Sequence, residues 1–267
     1  MKPTRLIPFT ILFVCLYLFG IMRSSGVFDT SFVVYGQSAV PRPAPAPAPT
    51  AASPALANTV TAPRKVLFIG NSLTYYEGGI YSHLEKFATV GTDKSVFGGA
   101  YFKSLWERSE PRQMINQAGN DVVVLQEDLP ETKVADFLEY GRRFVDEVRK
   151  TGARPILLMA WDYPRLGWIS MDEIAKAHAD LAKELGVEVA PVGLAWKRAM
   201  KERPQLNLYA ADREHPNVFG TYLATAVVYA TIYRQSPEGV NYAPPGVTRD
   251  QAAFLQRTAW ETVREYR

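Results

Sequence analysis

Five short apolar runs, separated by longer amphipathic stretches, constrain the fold of this chain more than any other feature. They fall at Lys65–Ile69, Ser95–Phe97, Asp121–Gln126, Arg154–Trp161 and Val187–Pro191. Short runs bounded by Gly, Pro or polar residues read as strands, and continuous apolar character marks strands buried on both faces, as in a parallel sheet. The segments between them carry helical periodicity: Tyr81–Val90, Phe102–Ala118 with Pro111 interrupting it, Lys133–Thr151 and Met171–Leu185. Three further helices are predicted at Leu194–Glu202, Asn217–Arg234 and Thr248–Tyr266. Strands alternating with helices of this length imply right-handed β-α-β crossovers. The predicted fold class is α/β: a five-stranded parallel sheet with helices on both faces, a three-layer α/β/α sandwich. No internal repeat is apparent.

The first 63 residues have a different character. Leu6–Met22 is uncharged and mostly apolar, flanked by Lys2 and Arg5 before it and Arg23 after it. As a helix it would span about 25 Å, near the lower limit for crossing a bilayer. It reads as a membrane anchor or a signal peptide; its length favours the anchor, and small residues at Ser24, Gly26 and Ala39 leave cleavage open. Residues 24–63 form a Pro/Ala-rich linker, in which Pro41–Pro49 alternates proline with small residues and favours extended polyproline II. Domain organisation is therefore expected as 1–23 anchor or signal peptide, 24–63 linker and 64–267 folded domain.

Charge follows this division. Residues 1–63 hold four basic residues against Asp29, which leaves 26 basic and 26 acidic residues in the remainder of a chain with 30 and 27 in all. The alkaline balance thus belongs to the N-terminal segment and is not a nucleic-acid footprint. Cys15 is the sole cysteine and lies in the apolar segment, which excludes a disulfide framework and a cysteine metal site within the chain. No phosphate-binding Gly-Lys-Ser/Thr loop or metal-ligand cluster is present, so no metal and no cofactor are expected.

Two stretches carry candidate chemistry. Lys65–Ile69 runs into Gly70-Asn71-Ser72-Leu73, which places Ser72 at the carboxyl end of a buried strand, where α/β sheets bind ligands. Taken alone, Asn71 or Ser72 reads equally as a helix cap. Far downstream, Asp212-Arg213-Glu214-His215-Pro216 precedes a helix, and Pro216 suits that helix's first turn. A turn of this length can fold Asp212 onto one imidazole nitrogen of His215 and leave the other free as a base; a plain Asp cap is the alternative. Of the other two histidines, His83 and His178, neither has an acidic partner at that spacing, and both read as packing or surface residues. Trp161-Asp162-Tyr163 follows the fourth strand and reads either as an aromatic platform for a sugar ring or as core. Tyr75 and Tyr76 read either as lining an acyl pocket or as packed on the sheet.

Together these blocks resemble the SGNH hydrolases, the GDSL-type esterase and lipase superfamily. Gly70-Asn71-Ser72-Leu73 stands for the family's Gly-Asp-Ser-Leu, and Asp212 to Pro216 for its Asp-x-x-His-Pro. Phe97-Gly98-Gly99-Ala100 ends the second strand, where the family places an oxyanion-hole glycine. Val124 to Asp128 ends the third, where most members have Gly-x-Asn-Asp. The resemblance covers residues 65 to about 235. It departs in two places: Asn71 replaces an aspartate, and the third block has no asparagine, although Gln126 offers an equivalent side-chain amide.

The resemblance implies a flavodoxin-like catalytic domain with Ser72 as nucleophile, His215 as base and Asp212 as its orienting acid. It implies an oxyanion hole from the Ser72 and Gly99 N–H groups and the Gln126 amide. The expected function is a serine ester hydrolase removing O-acyl groups, acetyl above all, from an extracytoplasmic carbohydrate or related ester. A glycan O-acetyltransferase with the same triad and a non-catalytic tethered glycan-binding domain are the alternatives. The expected partners are a small-molecule or glycan ester substrate and, through the N-terminal segment, a membrane, with no nucleic acid; localisation is expected in the cell envelope.

Overall fold

A computed structural model describes residues 62–267. The apolar segment and nearly all of the linker lie outside the described residues, and so do the expectations attached to them. Among the described residues no helix is long and apolar enough to cross a membrane.

The five runs become β1 (Lys65–Gly70), β2 (Gly91–Val96), β3 (Val122–Gln126), β4 (Arg154–Leu158) and β5 (Glu188–Ala190). All pair in parallel, in the order β2-β1-β3-β4-β5. This is the flavodoxin-like order, whose direction of growth reverses between β1 and β3, opening a crevice at their carboxyl ends. Alternation along each strand feeds two cores. Val66, Phe68, Val122 and Val124 face one of them, while Leu67, Ile69, Val123 and Leu125 face the other.

The helices divide accordingly. Against the first core pack α2 (Ile80–Phe87), α7 (Val192–Glu202), α8 (Val218–Tyr233) and α9 (Arg249–Tyr266). Against the second pack α3 (Phe102–Glu107), α4 (Ser109–Ile115), α5 (Val134–Lys150) and α6 (Met171–Leu185). One further short helix, α1 (Ser72–Tyr75), follows β1 directly. Helix α8 is apolar nearly all round and is buried on nearly every side, with α2 and α9 packed against it. An all-round apolar helix is stable only when enclosed in this way. It therefore gives the loop before it a rigid base.

Several boundaries differ from the sequence-based expectations. The second strand begins at Gly91, because an edge strand half open to solvent carries polar residues and breaks the apolar-run criterion; Lys65 pairs with Asp93 there at 2.6 Å. The segment 102–118 is two helices broken at the extended residue Arg108, and Pro111 sits in the first turn of α4, where its missing N–H costs little. The fourth strand stops at Leu158, and Met159 to Trp161 stay buried after leaving the sheet. Pro216 lies one residue ahead of the cap of α8 rather than inside the helix, and the cap is Asn217, whose Oδ1 accepts from Phe219 N at 2.9 Å and Gly220 N at 3.1 Å.

Register brings the carboxyl ends level. Gly70 stands beside Val96, Ile69 beside Leu125, and Gln126 beside Leu158. The loops that follow β1, β2, β3 and β4 therefore open at a single edge.

Candidate active site

At the end of β1, Asn71 caps α1 by accepting the Leu73 N–H on Oδ1 at 3.0 Å. Its Nδ2 donates to Ala100 O and to Asp128 Oδ2, both at 2.9 Å. One buried side chain thus joins the loops after β1, β2 and β3. Ser72 follows as the first residue of α1, where its N–H has no intrahelical acceptor.

The His215 loop approaches from the far end of the chain. Asp212 Oδ1 accepts the Glu214 and His215 N–H groups at 3.0 Å each, and Arg213 adopts the left-handed φ of 60° that closes the turn. The other Asp212 oxygen, Oδ2, lies 2.8 Å from His215 Nδ1. A nitrogen facing a carboxylate carries the proton, so Nε2 is left as the acceptor. Nε2 lies 2.8 Å from Ser72 Oγ, whose hydroxyl donates to it. Burial works against the Asp212 carboxylate, but bonds from the His215 ring and the two N–H groups outweigh it and hold its pKa below the ordinary value. The Tyr76 ring stacks on the imidazole, with centroids 4.1 Å apart and planes at 17°. Three residues beyond β4, Trp161 Nε1 donates to Glu214 O at 2.8 Å and so ties this loop to the segment that follows the strand. The structure thus brings Ser72, His215 and Asp212 into one hydrogen-bonded line.

Beside Ser72, the turn Phe97–Ala100 is closed by Ala100 N donating to Phe97 O at 3.2 Å, a bond that leaves the Gly99 N–H unused. Gly99 has φ 63°, the left-handed region that glycine reaches without strain, and no atom lies within 4 Å of where its Cβ would be. Gly98 is different, for a Cβ there would come within 2.9 Å of the Tyr75 hydroxyl.

Gln126 is engaged otherwise than expected. Its Oε1 accepts from Asn71 N at 2.9 Å and Thr74 Oγ1 at 3.0 Å, and its Nε2 donates to Glu127 O at 2.8 Å. The amide is buried and turned into the sheet edge, where it holds the turn between β1 and α1. Gly70 makes room for it, since a Cβ there would lie 2.6 Å from Gln126 Oε1. Trp161 and Tyr163 are core, not a platform. Trp161 is fully buried and stacked on Trp196 at 4.0 Å, and the Tyr163 hydroxyl donates to Asp128 Oδ1 at 2.7 Å. Tyr75 and Tyr76 are half-buried. His83 is a packing residue that bridges Glu77 O and the Tyr242 hydroxyl, at 2.8 Å each, while His178 is buried within α6.

The sequence reading missed two buried acids. Glu127 accepts from Phe102 N at 2.8 Å and Asp128 N at 2.9 Å, and burial pushes its carboxyl up to about 8. Burial likewise raises Asp128 to about 6, against the hydrogen bonds from Tyr163 and Asn71. Two consecutive acids just beyond the apolar run Val122–Leu125 were the available signal. Arg165 was also missed; it pairs with both Glu131 and Glu214 across the mouth of the site.

No protein-family model matches the sequence, and no curated protein matches it. Solved structures do match. One is a Slackia heliotrinireducens protein assigned to the SGNH hydrolases, 24% identical, with a TM-score of 0.57 over 64% of this chain and 99% of that one. A DUF4886 family protein from Bacteroides uniformis is 15% identical, with a TM-score of 0.61 over 75% of this chain and 94% of that one. A variant of a Geobacillus acetyl-xylooligosaccharide esterase is 19% identical, with a TM-score of 0.53 over 65% of this chain and 96% of that one. At these identities the likeness is one of fold. This chain has the SGNH hydrolase fold.

Proposed function

We propose that this chain, built on the SGNH hydrolase fold, is a serine ester hydrolase. The observation that carries the reading is the relay from Ser72 Oγ through His215 to Asp212, with 2.8 Å at both steps. In the proposed reaction Ser72 Oγ attacks the acyl carbonyl while His215 Nε2 takes its proton. Asp212 holds the ring and balances the charge of the imidazolium. The Ser72 and Gly99 N–H groups receive the oxyanion. His215 then returns the proton to the departing alcohol, and a water, activated by the same imidazole, releases the acid. Gln126 supports the reaction by holding the Asn71 turn; no oxyanion role is assigned to it.

We take the substrate to be an O-acyl, above all O-acetyl, group on a carbohydrate of the cell envelope. Support comes from the apolar N-terminal segment, the Pro/Ala-rich spacer and the neutral charge balance of residues 64–267. That one structural neighbour is an acetyl-xylooligosaccharide esterase agrees with this choice. The test is hydrolysis of p-nitrophenyl acetate by the full-length chain beside Ser72→Ala. Turnover that vanishes in the variant is expected, and equal turnover in both would refute the reading.

A further inference from the structure

Among the described residues, the large apolar side chains that stand exposed are Tyr101 at 39%, Val134 at 39% and Trp168 at 56%. They come from three separate segments, Tyr101 at the cap of α3, Val134 at the start of α5 and Trp168 in the loop after β4, yet all three line one groove of about 540 Å³. Scattered exposed apolar residues need no explanation, but convergence of all of them on one concavity does. The groove opens at the same edge of the sheet as Ser72. Tyr101 is two residues beyond Gly99, and Asn71 Nδ2 holds the intervening Ala100 O at 2.9 Å. On another wall, Glu131 pairs with Arg165, which also pairs with Glu214. The Glu214 carboxylate lies 3.9 Å from His215 Nε2. The groove is therefore tied at two points to the Ser72–His215 site.

We propose that this groove is a subsite for neutral sugar rings. Its chemistry is mixed in a particular way. Tyr101 and Trp168 offer aromatic surface, while Lys103 and Lys133 are balanced by Glu131 and Asp136 around the same rim. A pyranose presents a C–H face that lies flat on an aromatic ring, and equatorial hydroxyls that reach donors and acceptors beside it. A polyanion would meet the two carboxylates, and an acyl chain would meet four charged groups along its length. A second copy of the chain would need some twenty or more residues a side, far more than three exposed side chains provide. The inference rests on the serine-hydrolase reading in one respect: the groove is where the remainder of an acylated oligosaccharide lies while its ester reaches Ser72.

The test has two arms on the full-length chain. In the first, kcat/KM for a panel of partially O-acetylated xylo-, manno- and chito-oligosaccharides is divided by kcat/KM for p-nitrophenyl acetate. Trp168→Ala is expected to lower that ratio about tenfold for at least one sugar, mainly through KM, and Tyr101→Ala to lower it about threefold or more. Trp168→Phe, which keeps an aromatic face, is expected to recover most of the loss. In the second arm, tryptophan fluorescence of Ser72→Ala is followed as the same sugars are added; the signal is expected to saturate, and to disappear when Trp168→Ala is added to that background. A ratio that moves by less than twofold in both alanine variants, or a fluorescence change that survives without Trp168, overturns the subsite. So does a response to phospholipid vesicles or to protein concentration in place of sugar. If wild type and Ser72→Ala turn over p-nitrophenyl acetate equally, the hydrolase reading fails, and the fluorescence arm still decides the groove.

Discussion

Two polar clusters share the carboxyl edge of the sheet and are built in opposite ways. In one, Ser72, His215 and Asp212 form a line whose His215 and Asp212 side chains keep 17% and 43% of their surface open. In the other, at the end of β3, Glu127 and Asp128 are 2% and 4% exposed, and each carboxyl oxygen accepts a hydrogen bond from a neighbour. Polarity alone does not make a reactive site. A carboxyl whose acceptors are all taken by loop N–H groups and a tyrosine hydroxyl holds loops together. In the proposed reaction, a serine whose hydroxyl donates to an imidazole nitrogen hands its proton to that ring. The two clusters meet at Asn71, which donates to Asp128 and caps the helix that begins with Ser72.

The comparison breaks most easily at Ser72, the proposed nucleophile. Ser72→Ala is expected to lower kcat for p-nitrophenyl acetate about 10⁵–10⁶-fold with little change in Tm, measured by steady-state kinetics and calorimetry. Asp212→Asn comes next, at about 10³–10⁴-fold in kcat, because the amide no longer fixes the tautomer that leaves Nε2 free. Smaller again is Gly99→Ala. Space surrounds the missing Cβ, so the loss there comes from forcing a left-handed turn and moving an N–H, at about 10²-fold in kcat. Gln126→Ala sharpens the contrast between the clusters. Its expected effect is on stability, about 1–3 kcal/mol by chemical denaturation, because Asn71 N loses its buried acceptor.

The smallest effect belongs to the buried acids. Their folded pKa values are raised, so the folded state holds protons that the unfolded chain gives up. Stability contributed by the neutral forms is complete below about pH 4 and is lost as pH rises through about 6 for Asp128 and about 8 for Glu127. The Tm of wild type is therefore expected to fall by a few degrees between pH 5 and pH 8, and Glu127→Gln to flatten the upper part of that fall. A slope unchanged in the variant would show that Glu127 does not titrate in this range.

Much of the architecture was legible because buried parallel strands write themselves as apolar runs. Val122–Gln126 and Lys65–Gly70 lie where the sequence put them, to within a residue. The edge strand β2 was half hidden, since Gly91 to Lys94 face solvent and carry no apolar signal. The residues now seen in the relay were nameable from spacing, because Asp212 and His215 are local to one turn and Ser72 sits at a strand end. The work done by Gln126 was not legible. Whether a buried amide faces substrate or its own backbone depends on contacts with residues 52 and 55 positions away in the chain. The same holds for Trp161 and Tyr163, whose position after β4 left a platform and a core position both open and whose neighbours close them into the core. Trp168 carried the exposed aromatic surface instead, and only the meeting of three distant segments reveals it.

The central claim, that His215 activates Ser72 as a nucleophile, is tested most directly by a fluorophosphonate probe followed by peptide mass spectrometry. Wild type is expected to carry the phosphonyl adduct on Ser72 alone, Ser72→Ala to carry none, and His215→Ala to label at least 10²-fold more slowly. Equal labelling of wild type and Ser72→Ala, or a Ser72 that reacts as fast without His215, would contradict the account.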